Sequence, residues 1–138
     1  MRGRQHVAAC AALRGAPVAT YAAAIREGGA VDGRVLGVLG IHFDWSPQAQ
    51  LVVEGARLGA AEARRTRVLL LDAQHRCLAA SDQRGMLSET VAIDTKGEEA
   101  GSYREAQGRT IAFHRTPGYE TYRGLGWYGV IVQEPEQA

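Results

Sequence analysis

Cysteine is scarce in this chain. Cys10 and Cys77 stand far apart, with no CxxC pair and no histidine at ligand spacing, so neither a zinc motif nor a redox dithiol is written here. A disulfide between the two is open, and two thiols do not fix a compartment. Long apolar runs are missing as well: the 138 residues hold no stretch of about 18 apolar positions, which excludes a helical membrane span inside them. The N-terminus has no apolar core of the kind a secretory signal carries, and Met1-Arg2-Gly3-Arg4, which opens without a clear element, fits a clipped start of a longer protein. Excess charge of either sign is absent. Sixteen Lys and Arg against fifteen Asp and Glu leave a net charge of +1, so no nucleic-acid partner is expected.

Chemistry-bearing motifs are missing too. His6, His42, His75 and His114 fall in no ligating pattern, and a metal needs convergent ligands. There is no nucleophile elbow, HExxH, Walker loop or dinucleotide glycine fingerprint. The run Gly124-Leu125-Gly126 precedes a strand-like segment, so no helix N-terminus waits there for a phosphate. No enzyme activity, cofactor or metal is expected.

What is present is an ordinary globular mixture, 46% hydrophobic and 22% charged. The length favours one domain over residues 1–138, large enough to bury a core without staples. The most strand-like run is Gly33 to Trp45, GRVLGVLGIHFDW. Val35, Leu39, Ile41, Phe43 and Trp45 share one face, and Leu36, Val38, His42 and Asp44 the other. A strand apolar on both sides for most of its length fits a central place in a sheet. Ser46 and Pro47 then form a helix start. Ala49, Val52, Val53, Ala56, Ala60 and Ala63 repeat at helical spacing, which predicts an amphipathic helix ending near Arg64.

Upstream, the alanine-rich His6 to Leu13 reads as a short helix broken by Gly15-Ala16-Pro17. Val18 to Arg26 reads as a strand that turns through Gly28-Gly29 and Asp32-Gly33 into Val35. Downstream come strands at Val68 to Leu71 and Arg76 to Ser81 around the turn Asp72-Ala73-Gln74-His75, with His75 in a left-handed position. A short extended piece is expected at Thr90 to Ile93, strands at Ser102 to Glu105 and Arg109 to Arg115, and a last strand at Trp127 to Gln133 with Trp127 in the core. Strands in hairpins beside a helix give an α/β (α+β) class: a PAS-like central antiparallel sheet of about five strands with flanking helices.

Candidate binding residues follow from this layout. His42 and Asp44 share a strand face, where Asp44 can pair a cation and His42 can change charge near neutral pH; equally, Asp44 can cap the helix that follows. Tyr21, beside Thr20, offers an apolar face and a hydroxyl to a pocket wall, or to ordinary core. Tyr103, His114, Tyr119 and Tyr122 gather around the late strands and the 116–126 connection, a reasonable pocket lid or a loop tied down by tyrosines. The arginines at 57, 64, 65 and 67 are read as complementing the carbonyls at a helix C-terminus.

Four pieces in order resemble the Cache family of bacterial sensor domains over about residues 18–133: Gly37-Val38-Leu39-Gly40-Ile41 before a helix; Val68-Leu69-Leu70-Leu71-Asp72 with Ala79-Ala80-Ser81-Asp82; Gly108-Arg109 leading to Ile111-Ala112-Phe113; and Gly124-Leu125-Gly126-Trp127-Tyr128-Gly129-Val130-Ile131-Val132. The resemblance implies a PAS-like sheet and a non-catalytic ligand-sensing role, most often in methyl-accepting chemotaxis proteins, histidine kinases or cyclic-nucleotide enzymes. It implies a small polar metabolite as ligand and an extracytoplasmic (periplasmic) place in a membrane receptor, with a cytoplasmic sensor left open. The membrane would be reached through segments outside this chain, and a homodimer is compatible. The room before Val18 is too short for the long N-terminal helix with which such domains begin. The aromatic and arginine motif of the amino-acid-binding subfamily is absent, so that specificity is not carried over. The alternative is a PAS-like structural or dimerisation domain that binds nothing.

Overall fold

The computed structural model describes residues 6–13, 16–118 and 124–136, with side chains from Ala16 onward. The chain divides into two compact units, Met1–Gln48 and Ala49–Ala138.

The first unit is a three-stranded antiparallel sheet of β1 (His6–Leu13), β2 (Ala16–Arg26) and β3 (Val35–Asp44), in that order. The helix expected at His6–Leu13 is therefore a strand. Eight residues are too few for alanine content to hold a helix alone, and the ladder from His6↔Ala22 to Leu13↔Ala16 pairs their backbone instead. The β2–β3 hairpin forms as expected, from Val18↔Asp44 to Arg26↔Val35. Its turn uses Gly28 and Gly29 at φ 64 and 70. It is closed by the Glu27 N–H donating to the Arg34 carbonyl at 3.0 Å and by the Arg26 guanidinium donating to the Gly33 carbonyl at 2.8 Å.

The central place expected for β3 is not what is found. Among the described residues it pairs with β2 alone, at the edge of the sheet. Its apolar side chains are exposed, Val38 by 68% and Ile41 by 58%. The two-sided apolar pattern records how few polar residues the strand carries, and not how many strands flank it.

Helix α1 (Trp45–Glu54) follows. It starts two residues earlier than predicted because Asp44, not Ser46, caps it: the Ser46 N–H donates to Asp44 Oδ1 at 3.1 Å. It also ends ten residues short of Arg64. Gly55 stops it, and only the four-residue α2 (Ala60–Ala63) continues the helical pattern, with Glu62 accepting from the Gly59 N–H at 3.1 Å. Ala49 and Val53 are buried, while Leu51 and Val52 are exposed.

The second unit is built on five antiparallel strands: β4 (Thr66–Leu71), β5 (Cys77–Ala80), β6 (Ala100–Arg104), β7 (Thr110–Arg115) and β8 (Tyr128–Gln133), in the order β5-β4-β8-β7-β6. This five-stranded antiparallel sheet with few helices is the PAS-like architecture the sequence predicts. The turn before β5 behaves as expected. Asp72 Oδ1 accepts from the Gln74 and Arg76 N–H groups at 2.9 Å each, and His75 is left-handed at φ 63.

Alternation sends Leu69, Leu71, Ile111, Phe113, Val130 and Val132 to one face, where they form the core with Cys77, Ala80 and Ile93. Gly101 lies opposite Phe113; a Cβ there would sit 3.1 Å from the ring, so glycine lets the ring lie over β6. Residues 84–99 cross this face without forming a strand; Thr90 makes a single bridge to Arg76, in place of the extended piece expected at Thr90 to Ile93. Cys77 is a free, buried thiol, raised above its ordinary range chiefly by burial. Trp127, expected in the core, is half-buried; its carbonyl accepts from the Thr116 N–H at 2.7 Å and hydroxyl at 3.1 Å.

Candidate functional site

The predicted site residues are divided between the two units. In the first unit Tyr21 stacks on Phe43, with centroids 5.5 Å apart and planes at 16°. Cross-strand register puts this pair on one face of the sheet, and Thr20, His42 and Asp44 on the other. His42 Nδ1 lies 2.8 Å from Thr20 Oγ1, and Asp44 is the cap of α1. In the second unit Tyr103 packs against the core, and its hydroxyl accepts from the Asp94 N–H at 3.0 Å. His114 is exposed and points to the opposite face of the same sheet, where its neighbours are Ala112 and Ile131. Tyr119, like Tyr122, lies outside the described residues.

Two of the grooves formed by the described residues of the second unit bear on the site. One, of about 310 Å³, lies over the non-core face of the sheet and is lined by Val52, Val68, Leu70, Ala112, His114 and Ile131 among others. Its walls are apolar apart from His114, so it offers a polar ligand little to bond.

The other groove, of about 640 Å³, opens at the start of β4. The end of α2 delivers Arg64 and Arg65, β4 delivers Arg67, and the exit from β5 delivers Ser81, Asp82 and Arg84. Arg67 stands among the otherwise apolar TRVLLL of β4 and points to the core side, at the sheet's end. All three of its guanidinium nitrogens are engaged. Nε meets Asp82 at 3.0 Å, Nη1 and Nη2 meet the two Glu89 oxygens at 3.1 and 2.8 Å, and Nη2 also donates to the Arg84 carbonyl at 2.7 Å. The Arg67 hydrogen bond to Glu89 holds that carboxyl below its ordinary range. Burial pulls Asp82 upward, but the Arg84 N–H and the Arg67 guanidinium outweigh it and leave the carboxyl lowered. Glu89, and then Asp82, hold the Arg67 charge firmly on.

Arg65 donates to the Glu134 carbonyl at 3.0 Å, and Ser81 Oγ accepts from the Val68 N–H at 3.0 Å. Arg64 and Arg84 remain: their guanidinium groups donate to no described residue. Such planar forks match a carboxylate or a phosphate with two parallel bonds. Among the described residues no group of His, Cys, Asp and Glu could hold a metal.

Sequence reasoning assigned Arg57, Arg64, Arg65 and Arg67 to a helix end and did not single out Arg84. Arg64 is the C-cap of α2 and Arg65 follows it, whereas Arg67 lies in β4 and meets carboxylates instead. The signal that could have found the groove was a charged residue inside an apolar strand, which has to have a partner.

No protein-family model matches the sequence, and no curated protein matches it. Solved structures do. An extracellular ligand binding receptor from Desulfohalobium retbaense aligns with a TM-score of 0.63 at 9% identity, over 97% of this chain and 22% of that one. The ligand binding domain of the Pseudomonas aeruginosa amino acid chemoreceptor PctB, in complex with L-Gln, aligns at 0.61 and 16% identity, over 96% of this chain and 52% of that one. The sensor domain of the V. cholerae histidine kinase DctB aligns at 0.53 and 12% identity, over 99% of this chain and 57% of that one. At these identities the likeness is one of fold, and it is the fold that the Cache resemblance implies. The chain spans between about one-fifth and three-fifths of the length of these three structures.

Proposed function

We propose that this chain is a non-catalytic ligand-sensing domain of a bacterial signal-transduction protein, with a chemoreceptor as its parent, and that it binds a small polar metabolite carrying a carboxylate or similar anionic group. The groove at the start of β4 takes the ligand. The observation that carries this reading is the pair Arg64 and Arg84, two forked cations on the rim of a groove whose other two arginines are engaged, Arg67 by Asp82 and Glu89 and Arg65 by the Glu134 carbonyl. A fold shared with sensor domains, one of them holding an amino acid, supports it. The ligand acts by population shift: it favours whichever arrangement of the α2 end and the post-β5 loop brings both arginines onto its anion.

One observation favours the alternative of a structural domain without a ligand. The core face of the sheet is packed by the protein's own Met86, Val91 and Ile93, where a ligand held between sheet and loops would otherwise lie.

A thermal-shift screen against amino acids, other carboxylates, amines and purines separates the two. A ligand at 100 times its dissociation constant adds about 2.7 kcal/mol, a rise of several degrees in melting temperature. A rise with carboxylates that vanishes in Arg64→Ala/Arg84→Ala, with the unliganded melting temperature unchanged, is the expected result. No rise with any class favours the structural reading, and a rise that survives the double substitution moves the site away from this groove.

A further inference from the structure

The outer edge of β3 carries a second message, independent of any ligand. Its inner edge is paired with β2 along its length, and its outer edge has no partner among the described residues. Exposed edges are ordinarily blunted by lysine, proline, an inward charge or a covering loop. From Val35 to Phe43, VLGVLGIHF, there is no Lys, Arg, Asp, Glu or Pro, and Val35, Leu36, Val38, Leu39 and Ile41 are all more than half exposed. Charges stand at the two ends alone: Arg34 immediately before the strand and Asp44 at its last position.

We propose that this edge pairs with the same edge of a second copy of the chain, antiparallel about a two-fold axis through Leu39. A two-fold joins identical patches, so residue i faces j while j faces i. The charges select the register. Setting Arg34 opposite Asp44 puts Leu39 opposite Leu39, and both ends of the strand then gain an ion pair at once. The interior follows without further choice. Val35 faces Phe43, Leu36 faces His42, Gly37 faces Ile41 and Val38 faces Gly40. Each glycine meets a β-branched side chain, so bulk is matched by space, and a β-branched residue opposite an aromatic is a favourable cross-strand pair. A slip of two residues sets Arg34 opposite His42 or Leu36 opposite Asp44 and loses both ion pairs. A slip of one sets side chains from opposite faces across from each other.

The pairing joins two three-stranded sheets into one of six. Side chains of like parity line up, so the Tyr21, Leu39, Ile41 and Phe43 face of one copy runs on into that of the other. The charged groups are free to take part. Arg34 meets Glu27 at 3.3 Å with both side chains largely exposed, a contact that is cheap to exchange. Asp44 caps α1 through Oδ1, which leaves Oδ2 for the partner's arginine. The end charges act chiefly on register; the backbone ladder and the apolar pairs supply the affinity.

Sedimentation across a range of concentrations tests this with a charge-swap design. The wild-type chain is expected to form a reversible dimer. Arg34→Glu alone sets Glu against Asp44 twice, and Asp44→Arg alone sets Arg against Arg34 twice, so each weakens the dimer at least about tenfold. An equal mixture of the two variants restores it, because every end pair again joins opposite charges. That recovery cannot come from a variant that has merely unfolded. Leu39→Lys, which brings two cations together on the axis, leaves a monomer. The proposal is overturned by a wild-type monomer at every concentration, which would leave the edge to a different chain. It is equally overturned by a dimer indifferent to Leu39→Lys, or by a mixture no tighter than its components.

Discussion

Arg67 and Glu89 are joined by two parallel N–H···O bonds, of 2.8 and 3.1 Å, and this fork clips the loop after β5 back onto β4. Backbone bonds hold the loop as well: the Cys77 N–H donates to the Glu89 carbonyl at 2.8 Å, the Leu87 N–H to the Cys77 carbonyl at 2.7 Å and the Val91 N–H to the His75 carbonyl at 2.9 Å. The clip also fixes where Asp82 and Arg84 stand, and hence the wall of the groove.

Replacing Arg67 by Met removes one cation and leaves the Asp82 and Glu89 carboxylates and the Arg84 carbonyl without their donor. The expected loss is about 2 kcal/mol, seen as a fall of several degrees in melting temperature. Glu89→Gln costs less, since its carboxylate is 39% exposed and water screens the pair. Equal melting temperatures for Arg67→Met and the wild type would show that the clip contributes nothing to stability.

Acid weakens the same clip. Glu89 and Asp82 lie below their ordinary values of 4.5 and 3.8 in the folded chain, so the unfolded chain takes up protons first. The stability they contribute is complete above those ordinary values and is lost as pH falls through the lower, folded ones. Urea unfolding from pH 7 down to pH 3 should show a declining free energy in the wild type and a flatter profile in Asp82→Asn/Glu89→Gln. Parallel profiles would place the acid sensitivity elsewhere.

Gly85 and Gly97 both have positive φ, 68 and 82, but they differ in surroundings. A Cβ on Gly85 would run into the side chain of Glu89, whereas one on Gly97 would meet nothing within 4 Å. Gly97→Ala should cost about 1 kcal/mol, the left-handed penalty alone. Gly85→Ala adds the displacement of Glu89 from Arg67 and should lower the unfolding midpoint clearly further. Equal midpoints would mean that the loop relaxes without disturbing the clip.

Cys77 is buried and its thiol is raised by that burial, so it is a poor nucleophile while the chain is folded. In Cys10→Ser, a thiol reagent at pH 8 should label Cys77 at the rate of unfolding, and at once in denaturant. Immediate labelling of the native protein would contradict the closed core.

The sheet of the second unit was legible because its signals are local. The Asp72–His75 turn, the alternation in Thr110–Arg115 and the apolar run Val68–Leu71 each decide their own structure within a few residues. Three features were not legible. The strand at His6–Leu13 is decided by pairing with β2, which outweighs alanine's preference for helix. The end of α1 is decided by Gly55, although small apolar residues continue the helical spacing to Ala63. The edge place of β3 is decided by what lies beside it, and no residue in the strand carries that information. The candidate site suffered in the same way. Tyr103 and His114 are eleven residues apart but stand on opposite faces of one sheet, whereas Arg67 and Arg84, seventeen apart, meet across a loop.

The sheet order β5-β4-β8-β7-β6 also sets a timetable. The hairpins β4–β5 and β6–β7 are local and can form as they are synthesised, but nothing joins them until Tyr128–Gln133 arrives between them. The strand made last is the one that closes the sheet. Until then each hairpin offers the ribosome's surroundings a bare apolar edge, and the growing chain depends on how quickly its final strand emerges. A slow stretch of translation just upstream of Tyr128 would lengthen that exposure, while the same delay inside β8 would come when half the joint is already made.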